Sequence, residues 1–189
     1  MIKNDKRQQI MDSAIELISK RGYNGTTTKE IARIAGVAEL TIFRYFGSKE
    51  KLFEDILATM SFNNRFIEIM PEIEQLNCKE GLIKIGTYLF DFLKKNKPLV
   101  TIMVTEINNF PLSTRKLHCE NIDGVINRLS LYIKSRLCPM KQDSYVVARA
   151  FLGMLFGYFQ FEEIIKERDV DEEEISYYVN GFVNIIINE

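Results

Sequence analysis

The chain has 189 residues, 46% of them hydrophobic, and a formal net charge of −1 at pH 7. This length allows one ordinary domain or two small ones that share helices, and the near-zero net charge excludes any argument for a partner from the charge of the whole chain. The charge is uneven, because residues 1–51 contain ten basic and six acidic residues. That imbalance fits either an anionic partner for the first part of the chain or ordinary solvated charge.

Apolar residues recur at intervals of three and four and nowhere alternate for long, which predicts an all-α fold. A first helix over about residues 6–20 has an apolar stripe of Ile10, Met11, Ala14, Leu17 and Ile18. Gly22 follows it at the C′ position, where glycine tolerates a positive φ. A second helix begins near Thr27, because Thr27 and Glu30 have the spacing of a capping box, and it stops at Gly36.

The third element lies in AELTIFRYFGSKEKL, residues 38–52. Ile42 and Phe46 are one helical turn apart and are expected to be buried, whereas Leu40, Phe43 and Arg44 then point outwards. Ser48 is a plausible N-cap for a fourth helix that runs through Met60 towards Pro71. Longer helices are predicted over about residues 82–93, 98–107 (with Pro98 in its first turn), 112–137, 142–167 and 172–187.

Two short helices joined at a glycine, over about residues 27–46, have the spacing of a helix-turn-helix. The second helix of such a unit lies in the major groove of DNA, which would explain the apolar residues on its outer face. The spacing alone is only moderately specific, since short helix pairs with glycine turns are common.

A longer stretch from about residue 9 to residue 57, which includes AIELISKRGYNGTTTKEIARIAGVAELTIFRYFGSKEKLFEDIL, resembles the N-terminal domain of the TetR family of transcriptional regulators. The resemblance lies in RGY, GTTTKEIA, AGV, T-x-F-R-Y-F and SKEKL. It implies a three-helix helix-turn-helix DNA-binding domain over residues 1–60 and a C-terminal helical bundle for effector binding and dimerisation over residues 61–189. The change from short basic to long acidic helices falls between about residues 59 and 71, where a shared helix is expected.

The resemblance also implies residues that contact the DNA backbone: Thr28, Lys29, Thr41, Tyr45 and Lys49, with Thr27 first a cap and only secondarily a phosphate contact. Helix N–H groups and a cation suit phosphate at the start of the second helix. Three of these residues have alternative interpretations, because Lys29 could be a solvated charge, Tyr45 half-buried packing and Lys49 a surface ion pair.

The outer face of the third helix is expected to contact bases. Leu40 and Phe43 can touch thymine methyl groups. At Phe43 the family usually has Tyr, so a hydroxyl that could bond DNA is missing. Arg44 could bond guanine with two hydrogen bonds or hold a phosphate. Glu39 could accept a hydrogen bond from cytosine N4 or be a favourable charge in the first turn of its helix, and the second interpretation is preferred.

The segment YVVARAFLGMLFGYFQFEEII, from Tyr145, is apolar nearly all round its helix and must be covered on more than one side. The resemblance implies a homodimer in which the last two long helices form a four-helix interface with their copies. Gly153 and Gly157 would allow close helix approach. A fully buried helix within a monomer is the alternative.

The resemblance further implies a pocket for a small-molecule effector among the middle helices, and the aromatic residues and methionines there suggest that this effector is mostly apolar or aromatic. The expected lining residues are Tyr88, Phe92, Met103, His118 and Phe151. A stripe of aromatic residues and methionine at helical spacing is more often a plain core, and a lone histidine is more often a surface or hydrogen-bonded residue.

These patterns predict a sequence-specific DNA-binding regulator, a repressor that leaves a near-palindromic operator when its effector binds. An activator of the same fold and a helical protein-interaction module remain alternatives. An enzyme is not expected, because the chain has one histidine, no ligand-spaced cluster and no glycine-rich phosphate loop, so no catalytic residue, cofactor or metal is predicted. Three cysteines without a CxxC favour a reduced, cytoplasmic compartment, and the apolar run over residues 150–161 is too short to span a membrane.

Overall fold

The computed structural model describes residues 2–59, 62–136 and 142–187. Within these ranges the chain is all-α, as predicted, and has no strand. Its helices in chain order are α1 (Ile2–Arg21), α2 (Thr28–Ile34), α3 (Glu39–Phe46), α4 (Lys49–Thr59), α5 (Phe62–Ile73), α6 (Cys78–Lys95), α7 (Lys97–Glu106), α8 (Leu112–Ser135), α9 (Ser144–Phe159) and α10 (Glu172–Ile187). A 3₁₀ turn, Ile107–Asn109, follows α7, and a π-helical turn, Gln160–Ile165, follows α9.

The short helices begin and end where their local sequence predicts. The Thr27 hydroxyl accepts the Glu30 N–H at 3.2 Å and the Glu30 carboxylate accepts the Thr27 N–H at 3.2 Å, so both halves of the capping box form. Gly22 has a φ of 73°, which a side chain would resist. Ser48 caps α4 by accepting the Lys51 N–H at 3.0 Å.

Two predicted helices differ from the structure. The fourth was expected to run through Met60 towards Pro71, whereas the structure describes α4 up to Thr59 and a separate α5 that contains Pro71. Met60 and Ser61, where a shared helix was expected, lie outside the described residues. The helix predicted over residues 142–167 instead leaves α-helical geometry after Phe159. The wider π turn that follows contains a buried carboxylate, Glu163, which accepts the Val170 N–H at 2.9 Å.

The chain divides into two compact units. The head unit comprises Met1–Ser61 together with Asn96–Cys119, and the body unit comprises Phe62–Lys95 together with Glu120–Glu189. Residues 96–119 therefore fold with the helix-turn-helix segment, although a division at residue 60 would assign them to the second domain.

The core of the head unit is formed by the inner faces of α1 to α4 and by α7. Phe110, which is 3% exposed, stacks on Phe53 with ring centroids 4.5 Å apart and meets the edge of Tyr23 at 4.8 Å. This aromatic cluster joins the segment after α7 to the helices that present the predicted DNA-binding residues.

The core of the body unit depends on close helix approach. A Cβ on Gly86 of α6 would lie 2.7 Å from Val179 Cγ1 of α10 and 3.0 Å from Phe151 Cζ of α9. Both distances are shorter than normal carbon contacts, so α6 packs against α9 and α10 only because residue 86 has no side chain.

The thiols differ in state. Cys78 is disulfide-bonded, so the expectation of reduced thiols is wrong for this residue. Spacing could not show it, because the tertiary fold decides which cysteines meet. Cys119 is free and exposed, and Cys138 lies outside the described residues. None of the helices in the described part of the chain has the length and hydropathy needed to cross a bilayer.

Candidate DNA-binding surface

The α3 helix is fixed to the head unit by one face and exposes the other. Ile42 and Phe46 are 0% and 5% exposed, whereas Leu40 and Phe43 are 77% and 44% exposed. Arg44 is also exposed. The predicted inner and outer faces are therefore confirmed, and the outer face carries two apolar side chains and a cation.

Phe46 is held from below by α1 and α4. The Arg7 guanidinium lies 5.1 Å from the centroid of the Phe46 ring and bonds the Asp55 carboxylate at 2.8 Å. This contact joins α1 to α4 next to Phe46, the last residue of α3.

Glu39 connects the starts of α2 and α3. The Thr28 hydroxyl donates a 2.6 Å hydrogen bond to the Glu39 carboxylate, and Ala38 at the N-cap of α3 supplies no side-chain cap. A carboxylate in this position offsets the positive ends of two helix dipoles, which accords with the preferred interpretation of Glu39. Thr28 uses its only hydroxyl proton in this bond, so it has none for a phosphate while the bond persists.

Thr27 serves the capping box, and its hydroxyl also donates to the Glu30 carboxylate at 2.9 Å. The Glu30 carboxylate also pairs with Arg21. These contacts, chiefly the hydrogen bonds from Thr27, lower the pKa of Glu30 below its ordinary value. Lys29, the second residue of α2, is exposed next to the N–H groups of the first helical turn.

Among the predicted DNA-binding residues, Lys49 has the surroundings that differ most from the prediction. Its ammonium donates to the Tyr23 carbonyl at 2.8 Å and to the Thr26 carbonyl at 3.0 Å, and it lies 4.1 Å from the centroid of the Tyr23 ring. Burial lowers the pKa of Lys49. An ammonium has three donors, so one N–H remains for another acceptor. Lys49 thus holds the turn between α1 and α2 to the start of α4.

Thr41 and Tyr45, one turn apart on α3, are both half-buried. Tyr45 packs against the head core, and its ring centroid is 6.2 Å from that of Phe46. The Arg44 guanidinium lies 5.8 Å from the Tyr45 ring. Packing of the Tyr45 ring leaves its hydroxyl as a polar handle, so a structural and a phosphate-binding role are compatible.

These contacts bring three helix starts together. The bond between Thr28 and Glu39 joins α2 to α3, and the bonds from Lys49 join α4 to the turn before α2. Helix N-termini favour phosphate groups, and Leu40 beside them offers an apolar surface for thymine methyl groups. The arrangement can therefore hold a nucleic-acid backbone and present side chains to base edges.

The predicted effector residues divide between the two units. Tyr88 and Phe92 lie in the body unit, where their ring centroids are 6.3 and 5.2 Å from that of Phe62. Phe151 is completely buried in the same unit. Met103 belongs to the core of the head unit. His118 is also in the head unit, where burial lowers its pKa.

Sequence reasoning missed Glu106, the last residue of α7. Its carboxylate accepts the Tyr23 N–H at 3.1 Å and the side-chain amide of Asn109 at 3.1 Å. Tyr23 and Glu106 are 83 residues apart in sequence, and no local pattern connects them. A carboxylate at a helix C-terminus opposes the helix dipole, and that unfavourable position was the one available signal.

The body unit has its own exposed apolar surface on α9 and α10, here called the α9–α10 face. Its exposed apolar side chains are Tyr145, Val146, Phe156, Tyr177, Tyr178 and Ile185. Gly153, Gly157 and Gly181 lie on the same helices, and a Cβ at any of them would meet no atom within 4 Å. Single exposed apolar residues are normal, but a set of them along two helices marks a contact surface.

Comparison with known proteins agrees with this geometry. The family model of bacterial regulatory proteins of the tetR family matches residues 10–56. The HTH-type transcriptional regulator YvkB of Bacillus subtilis (strain 168) is 30% identical over 162 residues, which is 80% of each chain. The fatty acid metabolism regulator protein of the same strain is 34% identical over 159 residues, 82% of this chain and 80% of the relative.

A solved structure supports the fold over nearly the whole chain. The transcriptional regulator FadR from Bacillus subtilis, crystallised in complex with stearoyl-CoA, superimposes with a TM-score of 0.76 at 24% identity. The match covers 96% of this chain and 97% of that one.

Proposed function

The chain belongs to the TetR family of bacterial regulatory proteins and regulates transcription by binding DNA, and on this premise we propose that it is a homodimeric repressor that releases a near-palindromic operator when a small apolar effector binds. Residues 1–60 would bind DNA, and residues 61–189 would bind the effector and form the dimer. Effector binding would shift the population of dimers towards one whose two recognition helices no longer match successive major grooves.

The observation that carries the DNA-binding role is the outer face of α3. Leu40 is 77% exposed although Ile42, two residues later, is fully buried, so the helix is held firmly while an apolar side chain faces water. The phosphate contacts are assigned to the side chains of Lys29, Thr41, Tyr45 and Lys49. Thr28 would contribute its backbone N–H at the start of α2, because its hydroxyl donates to Glu39. The base contacts are assigned to Leu40, Phe43 and Arg44. Thr27 and Glu39 support these side chains through the capping box and the bond to Thr28.

The homodimer is supported by the α9–α10 face. A two-fold axis would place this surface against its copy, so that each exposed aromatic residue contacts the partner and the open glycines admit its helices. Two copies of α9 and α10 would then form a four-helix interface.

The effector proposed is an apolar molecule with a long acyl chain. The supporting observations are the aromatic cluster of Phe62, Tyr88 and Phe92 in the body unit and two related proteins, a fatty acid metabolism regulator and a FadR crystallised with stearoyl-CoA. Each of these observations is compatible with a fatty acyl thioester as the ligand class.

The DNA-binding proposal is tested by selecting random double-stranded DNA against the purified protein and measuring the affinity of the selected sequence at several salt concentrations. A near-palindromic sequence whose binding weakens steeply with salt is the expected result, because phosphate contacts release counterions. Failure to enrich any sequence, with protein shown to carry no bound ligand by mass spectrometry, would instead favour a protein-interaction module.

The effector proposal is tested with the selected operator. Stearoyl-CoA is expected to dissociate the complex and raise the melting temperature of the protein, whereas free coenzyme A is the matched control without the acyl chain and should do neither. Release by coenzyme A alone, or no effect of any acyl chain length, would contradict the acyl-chain proposal and leave the DNA-binding role intact.

A further inference from the structure

We propose that Tyr23 links Glu106 at the end of α7 to Lys49 at the start of α4, so that the Glu106 carboxylate is a positioning group for the DNA-binding surface. The proposal rests on the proposed function of that surface, and it adds a residue that lies outside both the helix-turn-helix segment and the predicted DNA-binding domain.

The turn after α1 is held from two sides through one residue. The Tyr23 N–H donates to Glu106 Oε2 at 3.1 Å, and the Tyr23 carbonyl accepts from Lys49 Nζ at 2.8 Å. The amide and the carbonyl of one residue flank a single Cα, so a displacement of Tyr23 by Glu106 changes the acceptor that holds Lys49.

The Tyr23 ring makes this link stiff. The ring is buried, meets Phe110 at 4.8 Å and Phe53 at 5.8 Å between centroids, and lies 4.1 Å from the Lys49 ammonium. Burial, with the nearby carboxylates of Glu50 and Glu54, raises the pKa of Tyr23 to about 12, so the ring stays neutral under the cation. A ring enclosed in this way cannot rotate out of the turn without opening the aromatic cluster.

Glu106 is itself held in place at the other end. Asn109 donates its amide to the same oxygen at 3.1 Å, and a Cβ on Gly22 would lie only 2.8 Å from that oxygen. Glycine is therefore needed at position 22 for two reasons: the backbone has a positive φ, and a side chain would prevent the close approach of the Glu106 carboxylate. Such a fitted arrangement differs from an exposed ion pair, which can be lost with little effect.

The two carbonyl contacts constrain the remaining N–H of Lys49. Two donors are directed by the carbonyls of Tyr23 and Thr26, so the direction of the third is fixed by the position of the turn. If this N–H bonds a phosphate, a change at Glu106 alters DNA affinity without touching any base-reading residue. A movement of α7 would then reach the DNA-binding surface through one residue.

The link is tested by a double-mutant cycle on DNA affinity with Glu106→Ala, Lys49→Ala and the double variant. Loss of one hydrogen bond corresponds to about a fivefold loss of affinity. We expect this loss in Glu106→Ala for the selected operator and unrelated DNA alike, because a phosphate contact carries no sequence information. The double variant should bind no more weakly than Lys49→Ala, because the two residues act through one contact.

Two further variants separate positioning from general damage. Glu106→Gln keeps a carbonyl oxygen that can accept the Tyr23 N–H and should bind DNA within about twofold of the wild type. Thr105→Ala removes an exposed hydroxyl that donates only within α7, at 2.9 Å to Thr101, and should have no effect. Losses that multiply in the double variant, or wild-type affinity in Glu106→Ala, would overturn the proposal.

A measurement without DNA tests the link between Glu106 and Lys49 independently of the proposed DNA-binding function. Amide hydrogen exchange at Tyr23 is expected to accelerate in Glu106→Ala and also in Lys49→Ala, but not in Lys51→Ala, whose ammonium pairs with Glu54 on its own helix. Unchanged exchange at Tyr23 in Lys49→Ala would overturn the link. Coupled exchange in a protein that selects no DNA would instead show that the link is real and the proposed function wrong.

Discussion

Two surfaces of this chain expose apolar side chains, and their surroundings differ. On α3, Leu40 lies in the first turn of the helix, and Phe43 is next in sequence to the exposed cation of Arg44. On the α9–α10 face, exposed aromatic and aliphatic side chains stand beside glycines with open space above them. Exposed apolar residues are expected to mark a contact surface in both places, and the difference in their surroundings is why we propose DNA as the partner of one surface and a second copy of the chain as the partner of the other.

The largest predicted effect distinguishing the two surfaces is the loss of dimerisation when a charge is placed in the α9–α10 face. We expect Phe156→Arg to convert the proposed dimer to a monomer, because an unpaired buried charge costs about 3–5 kcal/mol and a two-fold interface contains it twice. Light scattering after size-exclusion chromatography measures the mass. Leu131→Arg is the control, since Leu131 is 66% exposed on α8 and lies on neither helix of the face. A dimeric Phe156→Arg protein would remove this face from the proposed interface.

Removal of the Arg44 cation from α3 should change DNA binding without changing dimerisation. Arg44→Ala is expected to reduce discrimination at one base pair by about 1–3 kcal/mol if Arg44 reads guanine, with the dimer unchanged. Competition binding against operators that are altered at single positions measures this loss. Weaker binding with an unchanged sequence preference would assign Arg44 to a phosphate.

The Glu39 carboxylate, in the first turn of α3, should weaken DNA binding. Glu39→Gln removes a negative charge near the phosphates, so we expect all DNA sequences to bind more tightly, by roughly 0.5–1 kcal/mol at low salt and less at high salt. DNA-binding titrations at two ionic strengths measure both the tighter binding at low salt and its decrease at high salt. Glu16→Gln, at an exposed carboxylate of α1 that pairs with Lys20, is the control. A lost preference for one base pair in place of tighter binding would show that Glu39 accepts from a cytosine.

The smallest expected effect is a pH dependence of the body unit. The Arg168 guanidinium, with the Tyr158 hydroxyl, holds the pKa of Glu174 at about 2, well below its ordinary 4.5. The folded-state pKa is depressed, so this contribution to stability is present above pH 4.5 and is lost as the pH falls towards 2. As the pH falls over this range, the melting temperature should decrease more steeply for the wild type than for Glu174→Gln. Parallel curves would mean that the contact is lost in solution.

Much of the head unit could be predicted because its determinants are local. The spacing of Thr27 and Glu30 fixed the start of α2, Gly22 marked the end of α1, and the spacing of Ile42 and Phe46 fixed the buried face of α3. Each of these signals acts within one or two helical turns, so neighbouring residues contain the whole of the information.

Long-range contacts could not be predicted in the same way. The sequence placed Lys49 on a surface, whereas two carbonyls from the turn after α1 hold its ammonium. It left Glu39 between two interpretations, and the hydroxyl of Thr28 favours one of them. It grouped Met103 with Tyr88, although the two side chains belong to different compact units. In each case the partner is distant along the chain or on another helix.

The sequence by itself determined the helical class, the capped starts of the short helices, the two faces of α3 and the resemblance to the TetR family, because periodicity and capping are properties of adjacent residues. Only the tertiary structure decided that residues 96–119 fold with the head unit, that Phe110 completes its aromatic cluster and that Glu106 holds Tyr23. The physical reason is that packing and hydrogen bonding between distant segments depend on how helices are arranged in space, which no local pattern specifies.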